Sequence, residues 1–566
     1  MTLFEDNLRA LAARSPSTAA VVADAGSDGP YVVTVASSGD PIVECGGRAL
    51  DSRRDPAGAA RRDAAPVTAA HAVVVAGLGT GYFADALRER GVRVAVIVEA
   101  NAMGLAAAMR ARDLRPLLSE VPVALVATLK DRIELATWRA RADTVVPHAP
   151  SVAAHPDLAA LVAAWPSVRV AKRKPRVLVI GPIYGGTLET SRHAVAAFTA
   201  CGADARLFDG SVFASAHEAF GSLPGPSATR NSLQGGFAAL LGTAIVAAAT
   251  EWKPDLVFAL AQAPLGDTSI QHLRALGITT AFWFVENSRV LTYWRGVAEH
   301  YDWFYAIQPG RFLEQLSEHG AVHPAYLPQA CDPVQHRPIE LTPADREHFG
   351  SAVSFAGAPY LNRRRVFQSL TDFGLKLWGP SWDDPVLAPY VGGTGGRFTL
   401  DEMVKIFSAS TINVNLHSAN HIDRLDPDPD YVNPRTFELA ACEAFQLVDR
   451  RDPLRDLFRP DEVATFDSVP ELRTLTARYL AHDDERREMA ARARRRALGE
   501  HTFAHRIARV MRDTLAPELV AAATVGVTNE SLDEAIGRLE RAGTTLTDAE
   551  MELRVVREVN QAWLGR

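Results

Sequence analysis

Along this chain, short runs of consecutive apolar residues alternate with stretches in which apolar positions recur every three or four residues. That is the pattern of buried parallel strands wrapped by helices. Three β-α starts stand out. "HAVVVAGLGTGYFADALRERGVRVAVIVEAN" (71–101) reads as an apolar strand, a Gly-rich turn, a helix and a second strand ending in Glu99. "RVLVIGPIYGGTLETSRHAVAAFTACGADARLFD" (176–209) repeats the layout, and "SAVSFAGAPYLNRRRVFQSLTDFGLKLWGPSW" (351–382) opens a third unit. Further strand and helix signals follow each start, so the fold class is α/β, with three doubly wound, Rossmann-like units.

The stretches between them set the boundaries. Residues 1–70 are interrupted by Gly, Asp and Pro and hold one β-like run, "YVVTVASS" (31–38). "AKRKP" (171–175) reads as a charged, Pro-ended linker. "YLPQACDPVQHRPIELTP" (326–343), with four prolines, predicts a hinge between the second and third units. "PELVAAATVGVTNES" (517–531) sets off a polar helical tail. The expected domains are therefore 1–165, 172–332, 338–515 and the tail 525–566. The mostly apolar run "AALLGTAIVAAAT" (238–250) is too short to cross a bilayer and is expected as a buried helix, with no transmembrane segment.

Composition narrows the classes. The 566 residues are 47% hydrophobic and 22% charged, with a net charge of −7. This is ordinary globular composition, and no basic field is present for coating nucleic acid. The N-terminal "MTLFEDNLRALAARSPS" lacks the apolar core of a secretory signal. The four cysteines (Cys45, Cys201, Cys331, Cys442) are far apart, without a CxxC pair, and read as reduced thiols of a cytoplasmic protein.

The candidate chemistry sits where strands meet helices. Gly77, Gly79 and Gly81 follow the first strand, where small residues let a ligand approach the backbone and the helix N-terminus. Glu99, ending the next strand, could accept from ribose hydroxyls. With Tyr82 in place of the third Gly of a dinucleotide fingerprint, the spacing suits S-adenosylmethionine better, while a scaffold that packs or self-associates is the other reading. In the second unit Gly185 and Gly186 open a loop that lines a cleft or simply turns. In the third, Asn362, Arg363, Arg364 and Arg365 follow the strand "VSFAG", a placement suited to phosphate. "INVNLHS" (412–418) ends in Asn415, His417 and Ser418. In "VNPRTFELAACEAFQLVD" (432–449), Arg435 sits at a helix N-terminus, where the macrodipole disfavours a cation, and Glu438 lies beside it. A nucleotide diphosphate would reconcile both: Arg435 and Thr436 on phosphate oxygens, Glu438 on a ribose diol. An Arg–Glu pair three residues apart is the alternative.

These ordered motifs carry a resemblance. Segment 351–512, through "SFAGAPYLNRRRVFQSL", "LKLWGPSW", "INVNLHS", "VNPRTFELAACEAFQLVD" and "LFRPDEVATFDSVPELRTLTARYLAHDDERREMAARARRRALGEHTFAHR", resembles the C-terminal domain of CgeB-type (spore-maturation-protein) glycosyltransferases. The unit 176–330, with "TAFWFVENSR" and "YLPQACD", is similar to the N-terminal half of the same enzymes, so the resemblance covers 176–515. It implies a GT-B fold, two Rossmann-like domains facing a cleft, preceded here by an extra domain. It also implies a nucleotide-diphosphate sugar as co-substrate, bound mainly by the C-terminal domain, with no cofactor or metal required. Glu438 matches the ribose-binding Glu, and Arg363 with Arg364 match the Asn-Arg phosphate site. Asp430 lies eight positions before Glu438, the spacing of two acidic residues in related retaining enzymes, which makes it a candidate catalytic residue although it is Asp rather than Glu. Glu443 stands where the family has Gly.

Negative charge builds on the β-phosphate as the sugar leaves, so Arg363, Arg364, Arg435 and Thr436 are the expected stabilisers. Glu286, ending the strand "AFWFV", is the candidate general base on the acceptor side. His417, at the cleft edge, is a candidate donor contact, with packing or capping as its other reading. His193 is expected to pack or cap, "DPDPD" (426–430) to form a stiff loop rather than a metal site, and "RARRRALGEH" (492–501) to be a solvated face. The leading expectation is a cytoplasmic glycosyltransferase acting on a protein or surface-glycan acceptor. A methyltransferase using the first unit and an inactive GT-B binding module are the alternatives. Self-association through the first domain or the tail is a further expectation.

Overall fold

The computed structural model describes residues 2–26, 29–67, 72–126, 138, 142, 144–165, 173–393, 395–419 and 422–523. The helical tail expected over 525–566 lies outside the described residues. The described chain forms two compact units, one running to Pro175 and taking in residues 515–523, the other formed by Arg176–Thr514.

After two helices, Leu3–Arg14 and Pro16–Ala23, the first unit forms an antiparallel ribbon of β1 (Tyr31–Val35), β2 (Pro41–Cys45) and β3 (Arg48–Ala49). Four parallel strands follow: β4 (Val73–Ala76), β5 (Val94–Glu99), β6 (Val123–Leu125) and β7 (Thr144–Pro147), in the order β6-β5-β4-β7. All of β4 is buried, as a strand covered on both faces must be, hence its unbroken Val-Val-Val-Ala. The order reverses beside β4, which puts the Gly-rich turn at a topological switch point.

The second unit holds two such sheets. Strands β8 (Arg176–Ile180), β9 (Asp204–Phe208), β10 (Leu256–Leu260), β11 (Thr279–Phe284), β12 (Trp303–Ala306) and β13 (His323–Tyr326) pair in parallel in the order β13-β12-β11-β10-β8-β9. Strands β14 (Ser351–Ala356), β15 (Leu375–Trp378), β16 (Ser410–Asn415), β17 (Gln446–Asp449) and β18 (Ala464–Phe466) form the other, β15-β14-β16-β17-β18, also all parallel. Both orders reverse after their first strand, placing crevices between β8 and β10 and between β14 and β16. The architecture is two Rossmann-like α/β halves after a third Rossmann-like domain, as the sequence predicts.

One expectation is corrected. The apolar run 238–250 is the second part of a 26-residue helix, Ser227–Trp252, which by length and composition is apolar enough to cross a membrane. It is not buried: only Leu241, Gly242, Ile245 and Ala249 are, and Leu233 and Leu240 face outward. The residues before the run carry no helix breaker beyond two glycines, so the helix extends past the apolar stretch that marked it. Ile245 and Ala249 anchor one edge to the core of the six-stranded sheet.

The halves are joined twice. The chain leaves the first half after β13 and returns through the helix Phe503–Thr514, which packs on the helix Leu188–Ala200 of the first half. Tyr305 Oη also donates to Asp513, at 3.0 Å. The two passages lie side by side, Cys331 N donating to His501 O (3.0 Å) and Phe503 N to Cys331 O (2.9 Å). Arg506 clamps them: its buried guanidinium donates to the carbonyls of Pro328 (2.9 Å), Gln329 (3.1 Å) and Glu500 (3.0 Å). Arg506→Met would leave those carbonyls without donors, and we expect a loss of about 2–4 kcal/mol from this unit, checked by denaturant unfolding of the full chain.

Candidate functional site

Residues from the C-terminal ends of β14, β16 and β17 converge beside the helix Pro434–Ala441. Pro434 opens the helix, having no N–H to leave unpaired, and Asn433 caps it, its Oδ1 accepting from Thr436 N at 3.2 Å. Asn433 Nδ2 donates to Asn415 Oδ1 (2.8 Å), and Asn415 Nδ2 donates to Thr436 Oγ1 (2.9 Å). The Thr436 side chain is thus used inside the half and fully buried. Arg435 and Glu438 pair at 2.7 Å, the guanidinium lying 5.0 Å over the Phe407 ring and touching Met403 Sδ. The two charges that look misplaced in the sequence answer each other one turn apart.

His417 is a buried support of this helix. Asn433 N donates to its Nε2 (2.8 Å), so Nε2 is unprotonated and the proton sits on Nδ1, facing Asp449 Oδ1 at 2.7 Å. Burial pushes the His417 pKa down to about 4, with Arg451 adding to the depression and Asp449 opposing it. Asp449 is held well below the usual carboxylate range: Arg451 and His417 outweigh its own burial. Asn362 donates to His417 O (2.8 Å) and accepts from Ala419 N (3.0 Å). Arg363, half-buried, donates to Leu416 O through Nε (3.0 Å) and Nη2 (2.8 Å) and to Ala358 O (3.1 Å), and desolvation pushes its pKa down to about 10. Arg364 reaches the Pro359 and Ser381 carbonyls (3.0 and 3.1 Å) and pairs with Asp383 at 2.6 Å. The two arginines expected on phosphate therefore brace the loops that follow β14, β15 and β16. Carbonyl partners satisfy Arg363's donors without cancelling its charge.

On the facing half, Glu286 ends just past β11. It accepts from Gln262 Nε2 (2.7 Å) and Tyr293 Oη (2.9 Å), and burial raises its pKa against those two bonds. Gln262 takes a left-handed backbone (φ 65°) that a non-glycine residue adopts only under constraint. Gly185 (φ 109°) lies against it, since a Cβ there would stand 3.0 Å from Gln262 Oε1, while Gly186 borders open space. Asp430 is bonded to this half: its Oδ2 accepts from Arg289 (2.5 Å) and Gln308 Nε2 (2.9 Å).

Sequence reasoning missed Arg289, Gln308 and His336. The last is buried in the Pro-rich hinge, with Asp332 N donating to its Nδ1 (3.0 Å) and the Glu438 charge opposing its burial-lowered pKa. His193 pairs with Asp332 at 3.0 Å. The signal available was position: Arg289 and Gln308 both stand just past strand ends. Glu443, in the place of the family's Gly, has φ 54°, the left-handed position after the helix C-terminus that glycine fills most easily.

In the first unit the Gly-rich turn is filled by the protein itself. A Cβ on Gly77 would lie 2.3 Å from Ser151 Cβ, and one on Gly79 would lie 2.5 Å from His148 Cε1. A Cβ on Gly81 would meet Leu114 at 2.7 Å. Asp51 accepts from Thr80 N (2.8 Å) and Oγ1 (2.7 Å), and His148 Nδ1 lies 2.7 Å from Ser151 Oγ. Glu99 turns back to the backbone, accepting from Leu78 N and Ala100 N, both at 2.7 Å. The glycines are required by these close approaches, and Glu99 is buried and occupied rather than open to a ribose. Among the described residues, no group of three or more His, Cys, Asp or Glu is placed to hold a metal ion.

Residues 363–512 match the model of a family described as glycosyl transferase-like. Over 182 residues, 30% of this chain, the sequence is 24% identical to the spore protein CgeB of Bacillus subtilis (strain 168), and the match spans about half (56%) of that relative. Among solved structures, HepE from Anabaena, determined with UDP and glucose, is 12% identical over 60% of this chain and 99% of its own, with a TM-score of 0.44. Sucrose-phosphate synthase from Thermosynechococcus elongatus is 13% identical over the same shares, with a TM-score of 0.41.

The His417 arrangement gives a pH prediction. The folded chain keeps this histidine neutral down to about pH 4, whereas the unfolded chain takes up a proton below about pH 6.5. Its contribution is present above 6.5 and lost as the pH falls toward 4. We expect about 2 kcal/mol to disappear between pH 7 and pH 5 from this group. In His417→Asn, unfolding curves across that range should lose that share of the pH slope.

Proposed function

We propose that the protein is a glycosyltransferase that moves a sugar from a nucleotide diphosphate to a protein or surface-glycan acceptor. The observation that carries the reading is the N-terminus of the helix Pro434–Ala441 at the C-terminal edge of a parallel sheet, with Arg435 and Glu438 in its first turns. Such an N-terminus favours anions through its free N–H groups and dipole. A diphosphate there would take Arg435 from Glu438, leaving the carboxylate to accept from a ribose diol. Arg363, charged and ringed by carbonyls, adds a positive field behind the same loops. The segment matching glycosyl transferase-like proteins contains Arg363, Arg435 and Glu438, which supports the reading.

On the other half, Glu286 is the acceptor-side base. Its raised pKa makes it a better proton acceptor once ionised, and Gln262 and Tyr293 fix its direction. The step is displacement at the sugar's anomeric carbon by an acceptor hydroxyl, with the nucleoside diphosphate leaving and the hydroxyl proton passing to Glu286. Closure of the halves excludes water and limits donor hydrolysis.

Two measurements test this. Calorimetric titration with UDP, GDP and dTDP sugars should give binding of one donor, weakened by about 1–3 kcal/mol in Glu438→Ala; a folded parent that binds none of them overturns the reading. With that donor in hand, Glu286→Gln should retain donor affinity and lose transfer by roughly a hundred-fold or more, read as sugar incorporated per unit time.

A further inference from the structure

Arg289 belongs to the first half, five residues past the end of β11, yet the carboxylates it holds are in the second. Its Nη1 donates to Asp430 Oδ2 (2.5 Å). Its Nη2 donates to the Asp428 carbonyl oxygen (2.9 Å) and pairs with Asp426 Oδ2 (3.3 Å). Gln308, just past β12, adds its bond to the same Asp430 oxygen. A planar guanidinium can serve three acceptors on one stiff loop, which a single ammonium cannot do with the same fixed directions. Two of the three carboxylates in "DPDPD", Asp426 and Asp430, thus face one cation, while Asp428 gives it a backbone carbonyl.

The loop is also tied inward. Asp426 pairs with Arg451 (3.7 Å), Arg451 with Asp449, and Asp449 with His417, which accepts from Asn433 N at the start of the helix. The side chains of Asp426 and Arg451 have no solvent exposure. Losing the outer cation leaves a buried carboxylate with less compensation, a cost that falls on the whole series rather than on one surface contact.

We infer that Arg289 is a positioning residue: from the acceptor half it fixes the Asp426–Asp430 loop and, through it, the N-terminus of the helix Pro434–Ala441. This rests on the reading of that N-terminus as the donor site. The donor site is then complete only while the halves are latched, so the latch favours donor binding. Asp430 is the anchor of the latch.

The test uses the full chain as Arg289→Glu, Arg289→Lys and the exchange Arg289→Glu with Asp430→Arg. X-ray scattering without nucleotide should show a larger radius of gyration for Arg289→Glu and the parent value for the exchange. Titration with UDP, GDP and dTDP should show roughly ten-fold weaker binding in Arg289→Glu, the size of a typical coupling between sites. Binding should be regained in the exchange and partly kept in Arg289→Lys; a residue that only supports folding would not be rescued by swapping charges. An unchanged radius in Arg289→Glu overturns the latch. A larger radius with unchanged affinity overturns the positioning role while leaving the donor site standing. A parent that binds none of the three probes overturns the donor reading and the role built on it.

Discussion

Asp449 must stay ionised in a place that water does not reach, and much of the second half is arranged around that requirement. A buried carboxylate persists only with charge partners and hydrogen bonds. Here the partners are Arg451, the His417 ring and the His417 backbone N–H. Each has a second job. Arg451 reaches out to Asp426, and His417 fixes the first residue of the helix that carries Arg435 and Glu438. Neutralising one buried charge therefore sets the position of a helix N-terminus and of the loop before it. Burial keeps the imidazole neutral. The Asn433 N–H on one side and Asp449 on the other fix which ring nitrogen holds the proton, so the helix is held by an accepting nitrogen rather than repelled by a donating one.

What was legible in the sequence was what depends on neighbours in the chain. The apolar runs at 73–76 and 177–180 are strands, because a strand covered on both faces has no polar side to show, and 351–356 keeps the same character with two small serines. The Asn-Pro start of the helix at 434 and the strand that follows it are local too. The family resemblance placed the interesting residues at the ends of those strands. It could not say what each guanidinium touches: Arg363 at a helix start looks the same whether it meets phosphate or the Leu416 carbonyl fifty-three residues away.

The less legible features are contacts between distant segments. Ser151, His148 and Asp51 close on the Gly-rich turn from opposite ends of the first unit, so the spacing of Gly77, Gly79 and Gly81 describes a close approach without identifying what approaches. "DPDPD" reads as a stiff loop, but nothing in its sequence names its cation, Arg289, more than 130 residues earlier. The helix Ser227–Trp252 illustrates the reverse error: apolar composition suggests burial, whereas one edge alone is held by the sheet.

The paired passages at Cys331 and Thr502 have a mechanical meaning. Two joints fixed side by side leave a body one freedom of movement, as two hinges do for a door. The halves can turn about the line through those joints, but sliding or twisting would have to break the pairing of the passages and the Arg506 clamp across them. Alignment across the gap is therefore conserved at every angle of opening, and each residue on one face returns to the same opposite number whenever the gap shuts.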